Sequence, residues 1–177
     1  TGLVALDVSR IEAGLLLTDV DFFSARKALT NSQYYTPFVM GLDRLVDLLK
    51  PQFIGREALI EQKRVGVPRR VVGLAVEWTD VEALYSAVGL PPLAVATASR
   101  VAVPVFAGNR QVGRMTSSTW SPVLKQMIGL ATIESAFAGL ASEVEVEHTV
   151  DVVRHRVRAT VVPTPFFNPK RKTAVPV

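Results

Sequence analysis

The stretch EVEVEHTVDVVRHRVRATVV, residues 143–162, decides how the second half of the chain folds. Valine alternates with charged or polar residues on both arms, the two-residue period of strands with one buried face. Glu143, Glu145 and Glu147 share one face of the first arm; Arg154, Arg156 and Arg158 share one face of the second. A hairpin closed between the arms sets glutamates opposite arginines, each cross-strand pair worth about 0.2–1 kcal/mol. The competing reading is a nucleic-acid stripe. It lacks the interleaved aromatic residues on which bases stack, so nucleic acid is not the expected partner. His148 and His155 have no zinc-ligand pattern around them and read as structural.

The same texture runs back to Arg69. RRVVGLAVEW, VAVPVF, RQVGRMTS and QMIGLATIE each read as strands, with GN at residues 108–109 as a hairpin turn. GRMTSSTWSP, residues 113–122, reads as a strand running into a hydroxyl-rich turn before Pro122. One helix interrupts the series, DVEALYSAV at residues 80–88, with Asp80 as N-cap and Gly89 as stop. Strands at this spacing make an antiparallel barrel or sandwich. The texture changes near residue 67, which divides the chain into residues 1–66 and 67–177.

Before that boundary, LDVSRIEAGLLL at residues 6–17 reads as extended, with Val8, Arg10 and Glu12 on one face. An ionised carboxylate within an apolar run is costly unless paired. Glu12 has two possible partners. One is Arg10, its same-face neighbour. The other is a ligand with an amide-plus-amine edge, such as a pterin or guanine, which a carboxylate grips with two parallel hydrogen bonds while Gly14 clears space beside it. Residues 19–29 read as a turn leading into a short helix and residues 31–37 as loop. Residues 41–50 are ambiguous between helix and strand. Arg56–Val65 reads as a helix stopped by Gly66.

Composition sets outer limits. The 177 residues are 49% hydrophobic and 20% charged, enough for a packed core. The absence of cysteine excludes disulfides, zinc–thiolate centres and thiol nucleophiles, and fits a cytoplasmic location. A net charge of +4 suits anionic partners without demanding them. No apolar run reaches the roughly 20 residues of a membrane span, and no signal peptide or membrane partner is expected. Dinucleotide and phosphate-loop fingerprints are missing, as is any metal-ligand motif. The first residue is Thr1 and not Met, which reads as a processed chain or a piece of something longer.

RIEAGLL, TPFVMGL, KPQFIGREAL, RRVVGLAVE, VGRMTSSTWSP and TPFFNP follow one another across nearly the whole chain. Together they closely resemble the aminomethyltransferase family, the T-protein of the glycine cleavage system and its relatives. The resemblance implies a mainly β fold with some α: residues 1–66 as the end of an α+β folate-binding domain, then residues 67–177 as an antiparallel β-barrel with a basic tail. It implies tetrahydrofolate as cofactor, a small-molecule amine as substrate, and transfer of a one-carbon unit between them. A lipoyl carrier protein and the missing N-terminal half of the same protein are the implied partners. Glu12, similar in position to the glutamate of the family's (R)LEAG motif, would contact the pterin, which reverses the balance against Arg10. Lys50, before FIG, and Arg171, after PFFNP, match basic positions that would face substrate or the glutamyl tail of folate. No catalytic residue is expected in this chain, because the family's catalytic aspartate lies in the N-terminal half. Asp7, Asp19 and Asp21 do not stand in its context, so the chain alone should be inactive. Val39 stands where the family often has glutamate. With the helix at residues 80–88, this points to a divergent paralogue handling methylated amines or sulfonium compounds. Two other readings stand beside this one. The first is a non-catalytic folate-binding relative in iron–sulfur assembly or tRNA modification, favoured only by Lys170, Arg171 and Lys172. The second is a β-barrel interaction module.

Overall fold

A computed structural model describes residues 2–169. Six antiparallel strands close on themselves: β1 (Arg69–Val76), β2 (Val103–Ala107), β3 (Arg110–Ser121), β4 (Gln126–Glu134), β5 (Glu143–Val150) and β6 (Val153–Val162). The order around the barrel is β1-β4-β3-β2-β5-β6, and β1 meets β6 to complete it. Closure removes the exposed sheet edges that would otherwise template aggregation. All six strands lie where the two-residue periodicity places them. Three helices accompany them among the described residues: α1 (Leu3–Glu12), α2 (Arg56–Val65) and α3 (Trp78–Ala87).

Alternation along the strands separates two apolar faces. Met115, Ala131 and Ile133 join Leu74, Val105, Val146 and Val157 in the barrel interior. Ile128 and Leu130 point the other way and pack under Ile11 of α1. Two strand glycines permit close packing, one against a neighbouring strand and one against the segment that follows β6. A Cβ on Gly113 would sit 2.2 Å from the Thr132 carbonyl oxygen, and one on Gly73 would sit 2.8 Å from the Phe166 ring.

The hairpin of β5 and β6 closes as its charge pattern requires. Glu145 lies opposite Arg158 and Glu147 opposite Arg156. The nearest ion pairs run diagonally, Arg156–Glu145 and Arg154–Glu147, each at 3.7 Å. Arg158 instead turns to Asp80 of α3, with its two guanidinium contacts at 2.9 and 2.7 Å. Asp80 is therefore not the N-cap of α3. Glu77 fills that role, accepting from the Thr79 amide at 3.2 Å, and the helix begins at Trp78. The prolonged β3 absorbs the hydroxyl-rich segment as strand through Ser121, and the turn starts only at Pro122.

The N-terminal segment departs from expectation. Residues 3–12 are helical, not extended. Val8, Ile11 and Glu12 are buried at the i, i+3, i+4 spacing of a helix face. Asp7 and Arg10 pair at i, i+3. Gly14 ends the helix: at φ +67° its amide bonds to the Ile11 carbonyl and the Leu15 amide to that of Arg10, the paired closure of a Schellman motif. Residues 19–29 hold turns and a Thr18–Phe22 bridge, with no helix. The helix Arg56–Val65 and its Gly66 stop are as expected, and residues 41–50 contain only a short 3-10 turn, Asp43–Leu45.

Arg156 tests how the hairpin is held. Its guanidinium lies 3.8 Å from the centroid of the Phe106 ring and donates to the Gly108 carbonyl at 2.8 Å. Arg156→Ala is expected to lower unfolding free energy by about 1 kcal/mol through those contacts. Coupling to Glu145 in a double-mutant cycle should stay below about 0.5 kcal/mol, because both side chains are solvated. Urea unfolding of the four proteins measures both quantities.

Candidate functional site

Arg10 projects from α1 into a buried network of polar groups. Its Nε donates to Asp7 at 2.7 Å, one terminal nitrogen to Asp21 at 2.7 Å and the other to the Ser117 hydroxyl at 2.8 Å. Asp21 is buried and fully occupied. One oxygen takes Arg10 and the Leu17 amide; the other takes the hydroxyls of Thr116 at 2.7 Å and Ser117 at 2.6 Å. Adjacent strand residues ordinarily face opposite ways. Here the register of β3 against β4 slips between Met115 and Ser117. The resulting bulge turns both neighbouring hydroxyls onto the same carboxylate.

One turn of helix beyond this network lies Glu12. It does not pair with Arg10: residues two apart on a helix face different directions, and the extended reading that made them neighbours fails. Glu12 retains 8% of its surface. Its Oε1 accepts from the Ser121 hydroxyl at 2.5 Å, and Ser121 in turn accepts from the Leu124 amide at 3.1 Å. The second carboxylate oxygen makes no hydrogen bond among the described residues. Gly14 clears space for the chain itself, because a Cβ there would meet Thr164 at 3.1 Å. The Phe167 amide donates to the Glu12 carbonyl at 2.9 Å. The segments RIEAGLL, SSTWSP and TPFFNP thus meet at Glu12, the first two through its carboxylate and the last through its backbone carbonyl.

A cavity of about 350 Å³ opens beside Gly14, lined also by Leu16, Phe22, Met40, Val71 and Thr164. The walls are apolar and include Val71 of RRVVGLAVE and Met40, Gly41 and Leu42 of TPFVMGL, but neither Glu12 nor Ser121. Val39 of that segment is buried with Phe38 and Val67, and its carbonyl accepts from the Val71 amide at 2.8 Å. Lys50 is exposed in a turn; its carbonyl accepts from Arg56, and its side chain lines none of these walls. Arg171, with Lys170 and Lys172, lies outside the described residues. Asp7, Asp19 and Asp21 are engaged with Arg10, Lys27 and Arg10 respectively. No group of three potential metal ligands occurs among the described residues, and no helix there is long and apolar enough to cross a membrane.

Residues 87–168 match the glycine cleavage T-protein C-terminal barrel domain. Aminomethyltransferase of Thermosynechococcus vestitus is 37% identical over 174 residues, 98% of this chain. That of Bacillus cytotoxicus is 36% identical over 94% of it. The chain belongs to the aminomethyltransferase family. It spans only 39% and 37% of the length of those two relatives. The fold agrees: a crystal structure of glycine cleavage system aminomethyltransferase T from Bartonella henselae superposes with a TM-score of 0.69 at 23% identity, covering 94% of this chain and 39% of that one.

Ser121, Asp21, Thr116 and Ser117 are site residues that sequence reading missed. A buried acid cannot be matched to hydroxyls about a hundred positions away without the fold. Removing Asp21 strands a buried guanidinium, so Asp21→Ala is expected to cost about 3–5 kcal/mol in chemical denaturation. Asp7 adds a pH dependence. Burial pushes its carboxyl up, but hydrogen bonds from Arg10 and Arg100 outweigh this and hold it below the ordinary aspartate value. A depressed carboxylate contributes stability above its unfolded pKa and loses it as pH falls through the folded value. Urea midpoints of the native protein and Asp7→Asn should therefore differ most near neutrality, and the difference should shrink as pH falls below the ordinary aspartate value and through the lower folded one.

Proposed function

We propose that this chain is the C-terminal part of a tetrahydrofolate-dependent aminomethyltransferase of the cytoplasm, acting on a small amine. Residues 1–66 then close the folate-binding domain and residues 67–177 form the barrel domain. The observation that carries the class is identity of 36–37% to proteins named aminomethyltransferase across 94–98% of the chain.

The residues present fit a pterin. Glu12 offers a buried carboxylate with one oxygen fixed by Ser121 and the other available, the acceptor pair that an amide-plus-amine edge requires. The apolar slot beyond Gly14, two residues along the chain from Glu12 although Glu12 does not line it, is of a size to shelter a flat ring from water. Ser121 orients the carboxylate before any ligand arrives, which reduces the ordering cost of binding. Tetrahydrofolate, when bound, supplies the nucleophilic nitrogen that receives the one-carbon unit. The chain contributes recognition and orientation; the reacting acid and the remaining site wall come from the portion the longer relatives have in addition. A lipoyl carrier protein delivers the aminomethyl group in this reading. The burial of Val39, where a glutamate is frequent in the family, favours a second donor class, a methylated amine or sulfonium compound.

Glu12→Gln in the full-length parent keeps the shape but replaces one acceptor by a donor. Tetrahydrofolate affinity, measured by calorimetry, should fall about 5- to 150-fold, the equivalent of about 1–3 kcal/mol for an unsatisfied buried group. Unchanged affinity in a folded variant would reduce Glu12 to a partner of Ser121. Tetrahydrofolate-dependent ammonia release should be absent from this 177-residue chain alone, and robust turnover would overturn the division of labour.

A further inference from the structure

Arginines on the barrel strands divide into two groups. Arg70, Arg110, Arg154, Arg156 and Arg158 each meet a carboxylate, those of Asp43, Glu134, Glu147, Glu145 and Asp80 in turn. Arg69 and Arg114 have no carboxylate partner among the described residues. These two line one cavity of about 370 Å³, between the turn at residues 30–33, the starts of β1 and β3 and the end of β4. Arg114 lies opposite Thr132 in the β3–β4 ladder and so shares its face. The Thr132 hydroxyl meets that of Tyr35 at 3.2 Å. The Tyr35 ring carries the Arg69 guanidinium at 4.6 Å, and the Tyr34 carbonyl accepts from the same group at 2.8 Å. Tyr35 therefore touches Arg69 with its ring and the Arg114 row with its hydroxyl, which brings both cations to one side of the barrel.

Donors outnumber acceptors there. A ring and a neutral carbonyl fix the Arg69 guanidinium without neutralising it. Arg114 is exposed and its side chain makes no hydrogen bond among the described residues. The one acidic wall residue, Glu134, is already held by both terminal nitrogens of Arg110, at 3.1 and 2.9 Å. Gln33 gives its side-chain oxygen to the Leu29 and Thr30 amides at 2.7 and 3.2 Å, which leaves its NH₂ as a further donor. The planar fork of arginine suits carboxylates and phosphates. A phosphate ester carries about two negative charges near neutral pH, which matches two uncompensated guanidiniums better than the single charge of a carboxylate. Glu12 and Ser121 belong to another place. Ser121 pairs with Gln126, whereas the cavity begins at Thr132, about 20 Å further along β4.

We propose that this cavity binds the phosphate group of a small molecule, with Arg69 and Arg114 as its two cationic contacts. The experiment titrates the 177-residue chain with inorganic phosphate, ribose 5-phosphate and ribose at constant ionic strength, and follows backbone amide signals by two-dimensional NMR. The expected result is saturable shifts at Gln33, Arg69, Gly113 and Arg114, with a dissociation constant of about 1–10 mM for inorganic phosphate and no binding of ribose. Tighter binding of ribose 5-phosphate assigns the site to a phosphate ester, and equal binding assigns it to free phosphate. Arg114→Gln should weaken phosphate about 10-fold, the loss of a charge-assisted hydrogen bond. Arg154→Gln removes the same charge from an exposed position outside the cavity and should change affinity by less than about 2-fold. Shifts without saturation, the same shifts with sodium chloride alone, ribose binding as well as its phosphate, or equal losses in the two variants would each overturn the proposal. The probe comparison needs no variant, so it stands even where a substitution prevents folding.

Discussion

Arg10 and Asp21 form an ion pair with almost no access to water, 2.7 Å apart, joining a helix to a turn. Burying two charges costs several kcal/mol per ion before their attraction is counted, and it is repaid only when every remaining donor and acceptor is also satisfied. Here they are. Asp7 takes the Arg10 Nε, Ser117 takes the second terminal nitrogen, and Asp21 divides its oxygens between the guanidinium, an amide and two hydroxyls. A network that is complete in one arrangement and incomplete in any neighbouring one fixes position more than it adds stability. It specifies where α1 and residues 17–22 sit on the barrel.

That specification reaches the candidate site through the bulge at Thr116. The extra residue that presents two hydroxyls to Asp21 also sets the phase of the rest of β3, so that Ser121 emerges on the face where α1 ends. Glu12 is thereby delivered to a hydroxyl rather than left in an apolar environment. The helix terminates on Gly14 at the point where residues 164–166 cross both Gly14 and Gly73. The motifs that run through the sequence far apart are consequently neighbours in space. The chemistry proposed for Glu12 depends on this rigidity, since a carboxylate that recognises a ring edge must be oriented before the ring arrives.

The barrel was legible in the sequence because its signals are local. Valine alternation in residues 143–162, the Gly108 turn and the Gly66 stop each report on their own few residues, and the structure agrees with all of them. The first helix was misread for an equally physical reason. Val8, Arg10 and Glu12 satisfy a two-residue period, while Val8, Ile11 and Glu12 satisfy a helical one, and a ten-residue segment holds too few positions to separate them. Gly14 was the available signal, since a glycine just past an amphipathic run marks a Schellman end. The cap of α3 failed differently. Asp80 is a good N-cap by type, but Arg158 claims it from strand β6, and Glu77 takes its place. Ser121, Thr116 and Ser117 were legible only as hydroxyls, because their partners are set by register.

Native-state hydrogen exchange along α1 tests most directly whether the buried network makes the N-terminal segment part of the barrel. α2, also of ten residues and with none buried, is the internal reference for a helix held only at the surface. The account predicts that the amides of Val8–Glu12 exchange with β3 and β4, through global unfolding, and that α2 exchanges much faster. Exchange of α1 at the rate of α2 would contradict it, and would mean that Glu12 is not held in place for a ligand.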